Sequence, residues 1–263
     1  MADSGYLKLR HRDIEQIALV CLNCARVLMQ SGSSGRVVHA CGETLAKALG
    51  VDLLGLRVGY TSIAITLGSG ANTITRMVTL SEHGVNHRLN QAVRALVREA
   101  VNSRLPPAEI TARLDALVRQ TPRYPAWLVA VAVGLACAAF GELLGTDHRS
   151  FLPVFLAGGL GQCMRHQLLR INTNLYVVAT ATALLAAGLV GMAARLAGSN
   201  TVDLAMFAAT LLLVPGISAT NAQADVVDGY PTLGSARAVS VLTVMLFVST
   251  GIWLARLLLG TAP

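Results

Sequence analysis

The sequence predicts a mainly α-helical membrane protein: five transmembrane helices preceded by a small cytoplasmic α/β domain. Three observations carry that prediction. Five apolar segments follow Pro125, separated by short polar breaks. A helix of about 20 apolar residues crosses ~30 Å of hydrocarbon, where no water can satisfy exposed backbone groups. The residues before Pro125 are mixed enough in polarity to fold in water. Over the whole chain 54% of residues are hydrophobic and only 13% charged, with a mean hydropathy of +0.57, against the ~25% charged of an ordinary soluble domain.

The expected domains are residues 1–124 and 125–263. In the first, Ile14, Ile17, Ala18, Cys21, Leu22, Ala25, Leu28 and Met29 recur at helical spacing. That helix stops at Ser31-Gly32, and Ser33-Ser34 offers an N-cap for a second helix over 36–49, closed by Gly50. Three β-rich runs follow at 53–60, 62–67 and 73–80, with Gly68-Ser69-Gly70 as a hairpin-type connection. Residues 86–102 and 107–119 read as amphipathic helices, the second with Pro at its first turn. A break over 121–125 leads into the membrane half, where Tyr124 and Trp127 suit the interface.

The expected spans are 126–144, 151–169, 175–196, 204–223 and 238–259. The second and fourth have short apolar stretches. One runs into Gly-Gln-Cys-Met-Arg at 161–165, the other into Pro215-Gly216. Short or Gly/Pro-interrupted spans point to a transporter's binding site. Charge sets the orientation. Residues 1–124 hold 15 Lys+Arg against 9 Asp+Glu, and the rest 6 against 5. The loop after the second span carries Arg165 and Arg170 with no acid, so it and the N-terminus are placed in the cytoplasm and the C-terminus outside. The first twenty residues lack an apolar h-region, so no signal peptide is expected. The basic residues are scattered singly with few aromatics among them, which argues against a nucleic-acid surface.

Several residues are weighed for chemistry. Cys21-Leu-Asn-Cys24 has C-x-x-C spacing, and His83 and His87 have H-x₃-H spacing. A structural zinc site needs about four ligands, so Cys21 and Cys24 read as buried small side chains and no metal or cofactor is expected. Five cysteines, with Cys137 and Cys163 inside spans, argue against a disulfide framework. Gly158-Gly159-Leu-Gly161 lacks the Lys-Ser/Thr of a phosphate loop, which argues against an ATP-driven pump and for close helix packing. Extending the second span to Leu169 draws Arg165 inward, as a candidate carboxylate contact with Gln162 beside it. The bland reading of Arg165 is a topology-setting charge. Pro215 frees backbone carbonyls, and Asn221, Asp225 and Asp228 share one helix face after it. Pro215, Gly216 and Asn221 are therefore candidate substrate contacts, and Asp225 and Asp228 candidate proton or ion carriers. The alternative there is a solvated loop.

Gln30-Ser-Gly-Ser-Ser-Gly-Arg36 and Leu45-Ala-Lys-Ala-Leu-Gly-Val-Asp52 resemble the opening of the N-terminal domain of the bacterial threonine/serine exporter family. Thr75-Arg76 with Gly84-Val-Asn86, Tyr124-Pro125-Ala-Trp127, and Val214-Pro215-Gly216 with Asn221, Asp225 and Asp228-Gly229 are similar to its later motifs. Gly35 stands where that pattern leads one to expect a more polar residue. The chain has only one membrane half, which resembles the split form of the family. The resemblance implies a separate small membrane subunit as companion and export of a dicarboxylate such as succinate, where the fused form exports threonine and serine. The expectation is a subunit of a two-component inner-membrane secondary exporter, not an enzyme, working with that companion or as a homo-oligomer. The other class kept open is a membrane-anchored ligand-binding regulatory protein.

Overall fold

Two helices precede a strand meander in the N-terminal part, as the periodicity predicts. The computed structural model describes residues 10–70, 72–80, 84–121 and 124–260. His83, Pro122 and Arg123, which entered the sequence reading, lie outside the described residues. The chain runs α1 (His11–Gln30), α2 (Gly35–Ala48), β1 (Asp52–Val58), β2 (Ser62–Ser69), β3 (Asn72–Thr79), α3 (His87–Ser103) and α4 (Pro107–Gln120). The strands form an antiparallel sheet in the order β1-β2-β3. Ile63, Ile65 and Leu67 alternate with the half-buried Ser62, Ala64 and Thr66 along β2, and they bury against the apolar stripe of α1. Register is therefore strongly set, because a one-residue slip would turn all three to the other face. Asn86 caps α3, its Oδ1 accepting from the Leu89 N–H at 3.0 Å.

The compact units do not follow the expected division at 124/125. The segment Gly216–Val239 groups with the residues up to 121, while residues 124–215 and 240–260 form the second unit. The first of these segments holds α9 (Gly216–Val227) and the start of α10 (Pro231–Leu258). Leu233 is 2% exposed and belongs to the same apolar core as α1 and the sheet. Sequence pattern places this segment in a span because it is continuous with apolar residues; long-range packing places it with residues 10–121.

The second unit contains α5 (Ala126–Leu144), α6 (Phe151–Arg170), α7 (Leu175–Leu196), α8 (Val202–Thr210) with a 3-10 turn at Leu211–Leu213, and the rest of α10. Helices α5, α7 and α10 are long and apolar enough to cross a membrane. The expected fourth span is two pieces, Val202–Leu213 and Gly216–Val227, bent by 66°. Among the described residues, three unbroken helices, or four if the bent pair counts as one, meet that length and composition, so the expected count of five is not confirmed. Helix α6 has the length of a span, but Gln162, Arg165, His166 and Arg170 dilute its apolar character.

Ends of the bundle are tied by loop contacts. The Asp147 carboxylate accepts from the Asn200 N–H at 2.9 Å and from Ser150 Oγ at 2.9 Å, while Arg149 donates to the Gly198 carbonyl. Burial pushes the Asp147 carboxyl up, but these hydrogen bonds outweigh it and hold the group down to about 2. At the same end Arg195 donates to the Leu259 carbonyl, and Arg256 pairs with Asp203 at 3.4 Å. Successive helices therefore alternate in direction, and the loop carrying Asn172 lies at the opposite end. Glycines bring α5 and α6 together: a Cβ on Gly158 would stand 3.1 Å from that of Cys137, and one on Gly159 3.3 Å from the Ala130 carbonyl oxygen.

Candidate functional site

In the first unit the motif residues scattered from Gln30 to Asp228 converge on the turn between α1 and α2. The N-terminus of α2 leaves unpaired N–H groups and a partial positive charge. The Gly35 N–H donates to Asp225 Oδ1 at 2.6 Å. Arg237 Nη1 donates to the other carboxylate oxygen at 2.7 Å, with the Asp225 side chain 0% and Arg237 5% exposed. The second arm of the guanidinium donates to the Ser33 carbonyl at 2.8 Å and contacts Met29 Sδ at 3.1 Å. Asn90 donates to Ser33 Oγ at 2.6 Å and to Ser31 Oγ at 3.2 Å, and Ser31 in turn to the Leu28 carbonyl. Asn221 Nδ2 donates to the Gly32 carbonyl at 2.9 Å.

This network explains Gly35. A Cβ there would stand 3.1 Å from Leu233 Cδ2, 3.2 Å from Asp225 Oδ1 and 3.3 Å from Tyr230 Cδ2. Glycine lets the start of α2 close onto the carboxylate, where a polar side chain would not fit. Around the rim, Arg36 pairs with Asp228 at 3.3 Å and His39 stacks on Tyr230 at 4.6 Å between ring centroids. Each aspartate thus has its own cation, Arg237 for Asp225 and Arg36 for Asp228.

In the second unit the buried face of α6 reads Val154, Ala157, Gly158 and Gly161, and Arg165 falls next on that helical stripe. Arg165 is half-buried and has no hydrogen-bond or ion-pair partner among the described residues. Gln162 is half-buried one position from Gly161. The bend at Val214-Pro215-Gly216 follows from proline chemistry: Pro215 has no N–H to continue the ladder, and the last bond of the 3-10 turn is Val214 N–H to the Leu211 carbonyl.

Of the expected site residues, Asn221, Asp225 and Asp228 meet in the first unit with Ser33 and Gly35. Arg165 and Gln162 lie on α6 in the second unit, and Pro215 and Gly216 mark the end of the 3-10 turn and the start of α9. The sequence reading missed Arg237, Ser33 and Asn90. Arg237 offered a signal, a lone cation one residue before a long apolar run. Cys21 and Cys24 are buried in α1, and burial pushes the Cys21 thiol up to about 12 and Cys24 higher still. No cluster of three or more metal-ligating side chains exists among the described residues. Arg76 of the expected central motif pairs with Glu15, tying β3 to α1.

The family described as "Putative threonine/serine exporter" matches residues 19–259. The chain belongs to this exporter family. It is 28% identical to the "Probable succinate transporter subunit YjjP" of Klebsiella aerogenes over 93% of this chain and 94% of that protein. The Escherichia coli K12 protein of the same name is 28% identical over 93% of this chain and 95% of its own length. A Haemophilus influenzae protein of no stated function is 31% identical over 53% of this chain and 46% of its own. No solved structure matches.

Proposed function

We propose that the chain is the larger subunit of a two-component secondary exporter in the bacterial inner membrane, carrying a small carboxylate metabolite outward. The observation that carries this reading is the broken helix at Pro215, bent by 66°. Discontinuous helices are where secondary transporters hold substrate and coupling ion; a simple anchor has no use for one. The names of the relatives support the cargo class, a dicarboxylate such as succinate, with threonine or serine the choice that the family description favours. Their description as subunits supports a separate small membrane partner, for which self-association of this chain is the substitute.

Arg165 is assigned to the substrate carboxylate, because a planar guanidinium can replace water with two parallel charge-assisted hydrogen bonds. Gln162 lies three residues before it on α6; the carbonyls that Pro215 leaves free at the end of the 3-10 turn, and Gly216 after it, are kept as separate candidate contacts. Asn221 is assigned to holding α9, since its amide N–H is engaged on the Gly32 carbonyl. Asp225 is assigned to coupling: a proton there would cancel the charge facing Arg237 and loosen α9, with Asp228 acting more weakly at the rim. The basic N-terminal domain supports a cytoplasmic N-terminus, so a reporter inserted at Asn172 should read as cytoplasmic and one after Gly260 as periplasmic.

The test is efflux of labelled succinate and threonine from cells making this chain, a candidate companion, or both. Both together should export, and this chain alone should not. No efflux of either cargo, with both proteins verified in the membrane, would remove the exporter reading.

A further inference from the structure

Gly161 differs from the other glycines of the α5–α6 contact. A Cβ on it would stand 3.4 Å from Ala186 Cβ, 3.5 Å from Thr182 Cγ2 and 3.7 Å from Leu212 Cδ2. Those are ordinary van der Waals distances, so close helix packing does not require glycine here. At Gly158 and Gly159 the fit is tighter, since the same Cβ would meet a neighbour at 3.1 and 3.3 Å and that neighbour would have to give way. Gly161 therefore leaves a methyl-sized space at the meeting of α6, α7 and the 3-10 turn that ends α8.

A second, independent observation falls at the same place. Thr182 is 0% exposed, and its Oγ1 has no hydrogen-bond partner among the described residues. Helical threonines elsewhere in the chain solve this locally. Thr44, Thr111, Thr220 and Thr250 each donate to the carbonyl four residues back. Thr182 does not. A buried hydroxyl without a partner is costly to keep where valine would fill the same volume, which points to a partner that arrives from outside the chain. The Cγ2 methyl of Thr182 lies against the space at Gly161; the hydroxyl is carried on the same Cβ, and one step of χ1 between staggered rotamers exchanges the two positions.

Arg165 completes the geometry. It lies four residues beyond Gly161 on the same face of α6, roughly 6 Å along the axis by helical rise, and it too has no partner among the described residues. Two polar groups without a partner among the described residues thus relate to Gly161: a guanidinium one helical turn beyond it on α6, and the hydroxyl of the α7 threonine whose methyl packs against it. We propose that Gly161 and Thr182 form the deep end of the substrate site. Arg165 takes the carboxylate of a short metabolite, and the Thr182 hydroxyl donates to a hydrogen-bond acceptor at its other end. The cargo is then a metabolite with polar groups at both ends, such as a short dicarboxylate, and not a monocarboxylate with an apolar tail. This rests on the exporter reading.

The experiment compares wild type, Thr182→Val, Thr182→Ser and Gly161→Ala, each co-expressed with the companion. Efflux of labelled succinate, and of threonine in parallel, is measured against internal concentration, with the melting temperature of each purified variant. Thr182→Val conserves shape and should leave the melting temperature unchanged or raised while raising KM at least tenfold. Thr182→Ser keeps the hydroxyl and should stay within twofold. Gly161→Ala fits without a clash and should fold, yet its methyl occupies the space and should raise KM as much as the valine does. If Thr182→Val fails to fold, Gly161→Ala decides. A KM within twofold of wild type in a folded Thr182→Val or Gly161→Ala protein overturns the proposal while the exporter reading stands. A wild type that moves neither cargo overturns both.

Discussion

Two polar clusters lie in this chain, and they differ in whether their demands are met. Around the α1–α2 turn, Asp225 receives the Gly35 N–H and Arg237, and Arg237 spends its second arm on Ser33. At the α6–α7 junction, Thr182 and Arg165 have no partner among the described residues. The first cluster lies in an apolar core, where an unmatched charge would be intolerable, and so it is closed by its own side chains. The second is open. A buried charge alone is thus a weak sign of a binding site; a buried polar group left unanswered is a stronger one.

The largest effect should come from breaking the closed cluster on one side. Asp225→Ala or Arg237→Met leaves a buried charge uncompensated, and each should cost about 3–5 kcal/mol, read by denaturant unfolding of the detergent-solubilised chain. The double replacement Asp225→Leu with Arg237→Met should recover most of that loss, since no charge then remains unpaired. A double variant as weak as the sum of the singles would show that the pair does more than satisfy itself. Next in size is Gly35→Ala, whose methyl crowds Leu233, Asp225 and Tyr230 and should cost about 1–3 kcal/mol as an overpacked site. Arg36→Ala removes only a rim pair with its arginine 71% exposed, and should cost less than about 1 kcal/mol. A loss there as large as that of Arg237→Met would erase the distinction between core and rim.

Much of the fold was legible because local pattern and tertiary packing agree. The apolar stripe of α1, the cap at Asn86 and the long apolar runs of α5, α7 and α10 each carry their own signal. The extension of α6 to Arg170 follows from span length, and the break at Pro215 from proline's missing donor. The regrouping of Gly216–Val239 with the N-terminal part was not legible. It depends on bonds across about 190 residues, such as Gly35 to Asp225, which no periodicity encodes. Gly35 itself looked like a departure from the family pattern until its carboxylate neighbour was in view. The role of Arg237 was hidden because its partner lies twelve residues away across a turn, beyond the i, i+4 spacing that betrays pairs on one helix.

The most direct test makes the same conservative change in both clusters, Arg165→Lys and Arg237→Lys, in the chain co-expressed with a candidate companion. Lysine keeps the charge and loses the fork, so fold and flux can be separated by measuring melting temperature and succinate KM on each variant. Arg165→Lys should melt like wild type and raise KM at least tenfold. Arg237→Lys should melt lower, and the protein still folded should keep the wild-type succinate KM while losing part of its dependence on a pH gradient, which runs through Asp225. An Arg165→Lys protein that transports like wild type, alongside a stable Arg237→Lys protein with raised KM, would contradict this division of roles.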